Sequence, residues 1–421
     1  MSDPLLWSGD VIVAGAARSA GCAAAVAAAR EGASVLLVES AGFFGGTGAA
    51  VLDTFYGFYP PGAATRESRR RHWLGEVCEA LFAREAAFER PNTYGAGTGV
   101  TYEPEILKQV WDDLLADADV TTLLHATVTD VLMDGDKVSH LGLHTAAGPR
   151  SVKAVVYIDA TGDAELAWRA GAAVDAPRDQ VRRQPMTATF RLGGVDLART
   201  SAADLHRRMA EATGYVLPRR EGSTHRTMLP GVVHTNLTRV SGADPTDPWQ
   251  LSDAEREGRR QVREYVRFLT AEVPGYEQAY LINTSIRIGV RESRRLRGRY
   301  LLTRYDVLQA REFADAIARC GAPVEDHDGG SKTVWEYVGG AATGRSYGVP
   351  YGCLLPVEVG NLLVAGRCLS ATHSAHASVR SMAQCFATGQ AAGTAASFGE
   401  NPADLDVQVL RKRLIDQGAL L

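Results

Sequence analysis

The chain has 421 residues and a formal net charge of −4, with 45% hydrophobic and 22% charged residues. That balance excludes a disordered chain and supplies apolar surface for two domains or one elaborated one. It also excludes a global field that would recruit nucleic acid or an anionic membrane, so affinity for anions has to come from local clusters. Cys22, Cys78, Cys320, Cys353, Cys368 and Cys385 form no C-x-x-C pair and no regular framework. Buried free thiols and a cytoplasmic setting are therefore expected. The opening MSDPLLWSGD has no basic n-region, so it is not expected to be a signal peptide, and the apolar run 22–29 is too short to span a bilayer.

The first organised stretch is 10–46, DVIVAGAARSAGCAAAVAAAREGASVLLVESAGFFGG. Val11, Ile12 and Val13 suit a central parallel strand buried on both faces. A turn of small residues leads into an alanine-rich helix over 21–30; Gly32 stops it, and 35–38 form a second buried strand. Glu39 ends that strand 18 residues after Gly21 (39 − 21), close to the spacing of an acid that holds an adenosine ribose. The pattern is that of the strand–turn–helix–strand unit that grips the ADP half of a dinucleotide; an ordinary βαβ unit without a ligand is the alternative. Gly15 matches the first glycine of the fingerprint and Gly21 the third. The turn between them is one residue too long, and its middle position falls on Ala16 or Ala17, where a Cβ pushes a pyrophosphate outward. Arg18 and Ser19 add a charge and a hydroxyl at the helix N-terminus.

The glycines and aromatics of 42–65 suggest an ordered loop. Residues 66–90 carry helical spacing, with Trp73, Val77, Leu81 and Phe82 on one face and Arg69–Arg71 on a solvated one. A further helix is expected over 102–116. Strand candidates follow at 121–124, 126–133 and 137–144, the last two joined by a hairpin at Asp134-Gly135-Asp136. A buried strand over 152–159 runs into Ala160-Thr161-Gly162-Asp163, the small-residue turn at a strand's carboxyl end where open α/β sheets bind ligands. Between about 175 and 350 the composition shifts. β-like segments at 186–192 and 232–240, a helix over 252–272 and an arginine-rich block at 286–300 read as a mixed inserted domain. A buried strand at 361–365 then leads to Gly366-Arg367. His373, His376 and Arg380 are expected in the loop that follows. The helix over 381–398 is rich in small residues (Ala387, Gly389, Ala391, Ala392, Gly393), suited to close approach by the alanine face of the first helix. The two ends of the chain then meet in one domain.

Taken together, DVIVAG…AGCAAAVAAAREGASVLLVE, GFFGG, YEPEILKQVWDDLL, IDATGDAELAWRAGA, the GVRESRRLRG block and NLLVAGRCLSATHSAHASVRSMAQCFATGQAAGTAA resemble the FAD-dependent oxidoreductases related to the fumarate reductase and glutathione reductase type flavoproteins. The resemblance implies an α/β fold: a Rossmann-like FAD-binding domain of glutathione reductase type, made of residues 1–174 and 351–421, with an inserted α+β substrate domain over 175–350. It implies FAD as cofactor. Gly15, Ala17, Arg18, Ser19 and Ala20 are then expected around the pyrophosphate, Glu39 at the ribose, Ser40 beside the adenine, and Val128 against the adenine by main-chain contacts. Gly45, Gly46 and Thr47 are expected near the ribityl chain and flavin, with Ala160, Thr161 and Gly162 closing the second side. Gly366 and Arg367 fall to the phosphates or ribityl chain, and Ser378, Val379, Ser381 and Met382 to the isoalloxazine.

A flavin carries out the redox step, so the protein has to supply a proton donor or acceptor and charges that orient a small-molecule substrate. His373 and His376 are candidates for proton transfer, with hydrogen-bonded structural histidines as the alternative. They lack a third or fourth partner at metal-site spacing, so no metal is expected. Arg291 and Arg380 are candidates for a carboxylate clamp; the alternative is a helix face salt-bridged to Glu292 and domain neighbours. Tyr351, His234 and Asn236 are lesser pocket candidates. The functional expectation is two-electron hydride dehydrogenation or reduction of a small, possibly anionic, substrate. A flavin monooxygenase, or a cofactor-free binding protein on the same fold, is the alternative.

Overall fold

A computed structural model of the chain describes residues 4–16, 19–56, 73–90, 99–176, 183–327, 333–342 and 344–421. Ala17, Arg18, the stretch 57–72 and its arginine run lie outside the described residues. The opening unit follows its hydrophobic pattern: β1 (Leu5–Ala14), α1 (Ser19–Arg30) and β2 (Val35–Val38). Val11 to Ala14 are buried, as a strand covered on both faces requires. Next come α2 (Pro104–Asp117), β3 (Thr121–Leu123), β4 (Thr127–Asp134), β5 (Lys137–Thr145) and β6 (Gly148–Asp159). Pro104 opens α2, where its missing N–H leaves no hydrogen bond unmade. The central region contributes β7 (Phe190–Gly193), β8 (Ser223–Arg226), β9 (Val233–Asn236), α3 (Pro248–Glu272) and β10 (Tyr280–Thr284). The chain returns through β11 (Leu362–Val364), α4 (His373–Val379) and α5 (Met382–Ala396).

The main sheet has seven strands in the order β3-β2-β1-β6-β5-β4, with β11 also on β6. β3, β2, β1, β6 and β11 run parallel; β5 and β4 add an antiparallel meander on the first half of β6. This is a Rossmann-like α/β sheet. The register sets Leu123, Val38, Ala14, Asp159 and Val364 in one row. The turns beginning at Gly15, Glu39, Ala160 and Gly366 therefore open on one edge, the carboxyl edge at which open α/β sheets bind ligands.

α1 and α5 hold the two ends of the chain together. A Cβ on Gly389 would lie 2.3 Å from the Ala20 carbonyl oxygen, and one on Gly393 would lie 2.1 Å from that of Ala24. The backbones touch, and glycine is the residue that allows it. A second sheet, β8-β9-β7-β10, is antiparallel. Its inner face packs Phe190, Leu192 and Val233 against Val262, Tyr265, Phe268 and Leu269 of α3, a core of its own. Buried residues from Leu296 to Leu355 join the first core instead.

Three expectations change. The helix within 66–90 covers Trp73–Ala83 and stops; Glu85 takes φ +53°, and Ala87–Arg90 pairs as a strand with Gly99–Tyr102. His373 and His376 stand on α4 rather than in a loop, since the run between Thr372 and Arg380 holds no Gly or Pro to break a helix. The arginine block is not a helix. It runs irregularly, with Arg295–Leu296 paired to Val174–Asp175, because Glu292, Arg295 and Arg297 reach partners on different elements.

Candidate active site

At the carboxyl edge lies a cavity of about 960 Å³, near the upper end of small-molecule sites. One wall is made largely of backbone. Gly15 has φ +100°, and a Cβ there would stand 2.6 Å from the Thr161 nitrogen, so the turns after β1 and β6 are in contact. A Cβ on Gly21 would stand 2.4 Å from the Gly15 carbonyl oxygen, and one on Gly366 (φ +77°) would stand 2.8 Å from the Ala20 Cβ. Ser19 and Ala20, at the start of α1, face the cavity together with Thr47, Gly366, Arg367, Ser381 and Met382. A helix N-terminus with small residues around it is a cradle for phosphates. Glu39 is buried at the end of β2, its Oε1 accepting from Ser40 Oγ (3.0 Å) and the Ala41 N–H (2.7 Å), so the carboxylate is held in a set orientation. The residues present fit the dinucleotide half of FAD, Glu39 at the ribose end and the α1 N-terminus at the phosphates.

The opposite wall is made of charged side chains. Arg291 donates from Nη1 to the Pro185 carbonyl (2.7 Å) and to Thr187 Oγ1, and from Nη2 to Asn236 Oδ1 (3.4 Å). Arg219 donates to the same Asn236 Oδ1 at 2.9 Å. Arg380 donates to the Glu325 carbonyl (3.4 Å), and its buried Nε has no hydrogen-bond partner among the described residues. Burial, followed by the charges of Arg380 and Arg219, holds the Arg291 guanidinium well below its usual range. Glu325 Oε1 lies 3.0 Å from His327 Nε2, while His327 Nδ1 lies 3.1 Å from Thr333 Oγ1. Burial and then Arg291 push His327 down to about 3, against the pull of Glu325. Burial would raise Glu325, but His327, Arg380 and Arg291 outweigh it and keep the carboxyl well below its usual range. At neutral pH the wall therefore holds a carboxylate and a neutral imidazole among arginines.

Of the expected cofactor residues, Ser19, Ala20, Thr47, Gly366, Arg367, Ser381 and Met382 line the cavity. Gly15, Gly45, Gly46, Ala160, Thr161 and Gly162 stand behind that wall. A Cβ on Gly45 would meet the Trp111 ring at 2.9 Å, and Gly46 caps the helix Thr47–Ala50. Ser40 adjoins Glu39, and Val128 is buried on β4, two residues from Ala126, whose N–H donates to the Glu39 carbonyl (3.0 Å). Arg367 pairs with Asp163 at 2.5 Å, which directs its charge to the turn after β6.

Ser378, Val379, His376, His373 and Tyr351 do not line the cavity. Ser378 is buried, bonded to the Ala322 carbonyl (2.5 Å) and Tyr347 OH (2.8 Å), and Val379 is buried beside it. His376 is buried with Nε2 at 2.8 Å from the Arg367 carbonyl, a structural role set by its place on the inner face of α4. His373 lies between Glu292 (2.9 Å) and Asp326 (3.5 Å). Tyr351 donates to the Pro402 carbonyl at 2.9 Å, a packed tyrosine. The sequence reading missed Arg219, Glu325, His327 and Trp335, all on the cavity. No spacing marks them, because they come from separate segments that meet only in the folded chain.

The described helices include none long and apolar enough to cross a membrane, and the six cysteines are buried and free. Among solved structures, the chain is similar in fold to a geranylgeranyl bacteriochlorophyll reductase-like protein from Thermoplasma acidophilum, 13% identical over 97% of this chain and 84% of that one, TM-score 0.50. It is likewise similar in fold to the flavin-dependent brominase Bmp2, 11% identical over 98% of this chain and 83% of that one, TM-score 0.51. No curated protein matches its sequence. The family model "FAD dependent oxidoreductase" matches residues 10–414, nearly the whole length over which the cradle, the inserted sheet and the returning helix are built, and the chain belongs to that family.

Proposed function

We propose that the protein catalyses two-electron oxidation or reduction of a small organic acid, bound as its anion against the arginine wall. The carrying observation is that Arg291 and Arg380 line the same cavity as Ser19, Gly366, Ser381 and Met382. Bound FAD supplies the redox chemistry. The chain's part is to bind, orient and manage a proton. Arg291 is held by Thr187 and Asn236, so its fork is pre-aimed, and a planar carboxylate can pair with it in two-point fashion. An anion there also relieves the mutual repulsion of Arg291, Arg380 and Arg219, which favours the charged form of the acid. The Glu325–His327 pair takes up a proton only once a bound anion offsets the arginine charge that holds His327 low: His327 donates from Nε2 to the carboxylate and accepts at Nδ1 from Thr333. In this reading His373 and His376 serve structure, and residues 175–350 carry the substrate side.

The test is anaerobic. The FAD-loaded enzyme is mixed with a panel of 2-hydroxy, 2-amino and dicarboxylic acids while flavin absorption is followed. Bleaching by one of these acids without oxygen supports the reading. A flavin that stays oxidised with every acid, is reduced by NADPH, and then inserts oxygen into product would replace it with a monooxygenase.

A further inference from the structure

Behind the cavity wall, away from the arginines, lies a second cluster that the redox reading does not use. Asp53 follows the short helix Thr47–Ala50, and His225 and His234 face each other as a cross-strand pair on β8 and β9. All three side chains are at least nine-tenths buried. His225 Nε2 lies 2.9 Å and His234 Nδ1 2.8 Å from the same oxygen, Asp53 Oδ1. One donor atom from each residue falls within 4.8 Å of the others. Asp53 Oδ2 is buried and has no hydrogen-bond partner among the described residues.

Proton accounting calls for a cation here. His234 Nε2 lies 3.2 Å from the Val51 carbonyl, which can only accept, so Nε2 carries its hydrogen. Nδ1 is then left with its lone pair, 2.8 Å from Asp53 Oδ1 but without hydrogen-bond geometry to it. A cation shared by the two would offset their repulsion. One ion serves both rings at once, and an imidazole that ligates through one nitrogen while donating the other to a backbone carbonyl is the usual arrangement around bound metals.

We propose that Asp53, His225 and His234 bind a divalent transition-metal ion, zinc being the best match, with Asp53 Oδ2 available as a fourth donor. Two imidazoles and one carboxylate at low coordination number suit zinc better than magnesium or calcium, which require more oxygen ligands. Bonds of about 2.0–2.1 Å set ligand atoms roughly 3.3 Å apart at a tetrahedral angle, so binding spreads the present contacts by a few tenths of an ångström. The ion's role is structural. It ties β8 and β9 to the segment bearing Val51 and Leu52, which line the cavity, and so fixes the second sheet against the cofactor half.

The test begins with wild-type, FAD-loaded protein purified without an affinity tag or chelator. Elemental analysis is expected to find about one zinc per chain, and X-ray absorption at the zinc edge a nitrogen and oxygen shell without sulfur. Prolonged dialysis against a strong chelator is expected to lower the melting temperature, and zinc to restore it. His225→Gln and His234→Gln are expected to retain less than a tenth of the metal, and FAD absorption reports whether each variant has folded. Metal-free wild type whose melting temperature responds to neither zinc nor cobalt would overturn the proposal, leaving a proton as the bridging cation. A sulfur-bearing shell, or full metal content in either folded variant, would overturn it too.

Discussion

The two walls of the cavity are built on opposite principles. The cofactor wall is backbone: glycines at Gly15, Gly21 and Gly366, the start of α1, and two helices so close that Gly389 and Gly393 have no room for a side chain. The facing wall is side chain: Arg291, Arg219, Arg380, Glu325 and His327, drawn from four segments and tied together by hydrogen bonds and charge. A wall of backbone tolerates no added atom, whereas a wall of side chains can lose its chemistry and keep its shape. Fold is thus invested in the first and, on the function proposed above, specificity in the second.

That contrast can be broken most sharply at Gly393. Gly393→Val places carbon against the Ala24 carbonyl, and it is expected to cost about 3 kcal/mol or more through forced separation of α1 and α5. Urea unfolding and flavin retention are the measurements; unchanged midpoint and full colour would show that the helix contact is dispensable. Arg291→Lys keeps the charge but loses the fork. On the acid that best reduces the flavin, kcat/KM is expected to fall on the order of 100-fold with FAD content intact. An undiminished kcat/KM would remove Arg291 from the substrate wall.

A third break is the acid dependence. His327 protonates near 6.5 when unfolded but only at about 3 in the fold. The unfolded chain therefore binds the extra proton first, and stability falls as pH drops from about 6.5 toward 3. His327→Gln is expected to flatten that part of a Tm-against-pH curve; an unaltered slope would mean the ring is not held neutral. At the exposed pair Arg256–Asp253, Arg256→Ala is expected to change stability by less than about 0.5 kcal/mol. A larger loss in the same urea assay would show that surface charge matters here beyond what solvent screening allows.

The same division decides what the sequence made legible. Glycine spacing, buried strand runs and the small-residue helix report backbone requirements, and these act locally or between matched periodic surfaces. Hence β1, α1, β2, the β4–β5 hairpin and the pairing of α1 with α5 are legible in the sequence. Arg291 and Arg380 were named as a clamp, but their joining Arg219 in one wall was not legible, since Arg291 is aimed by where Pro185, Thr187 and Asn236 fall. Glu325 and His327 carried no periodic signal at all. The histidines of α4 were expected in a loop, whereas a helix carries them and turns His376 into the protein.

The contact between α1 and α5 also orders events during synthesis. The first strand, helix and turn leave the ribosome early, yet their partner helix ends at Ala396. Nascent chain lacking α5 has an alanine-lined surface with nothing laid across it, and cofactor capture has to wait until α5 has emerged. Flavin supply then meets a chain that already holds both helices, so riboflavin starvation should accumulate apoprotein rather than fragments stalled before α5.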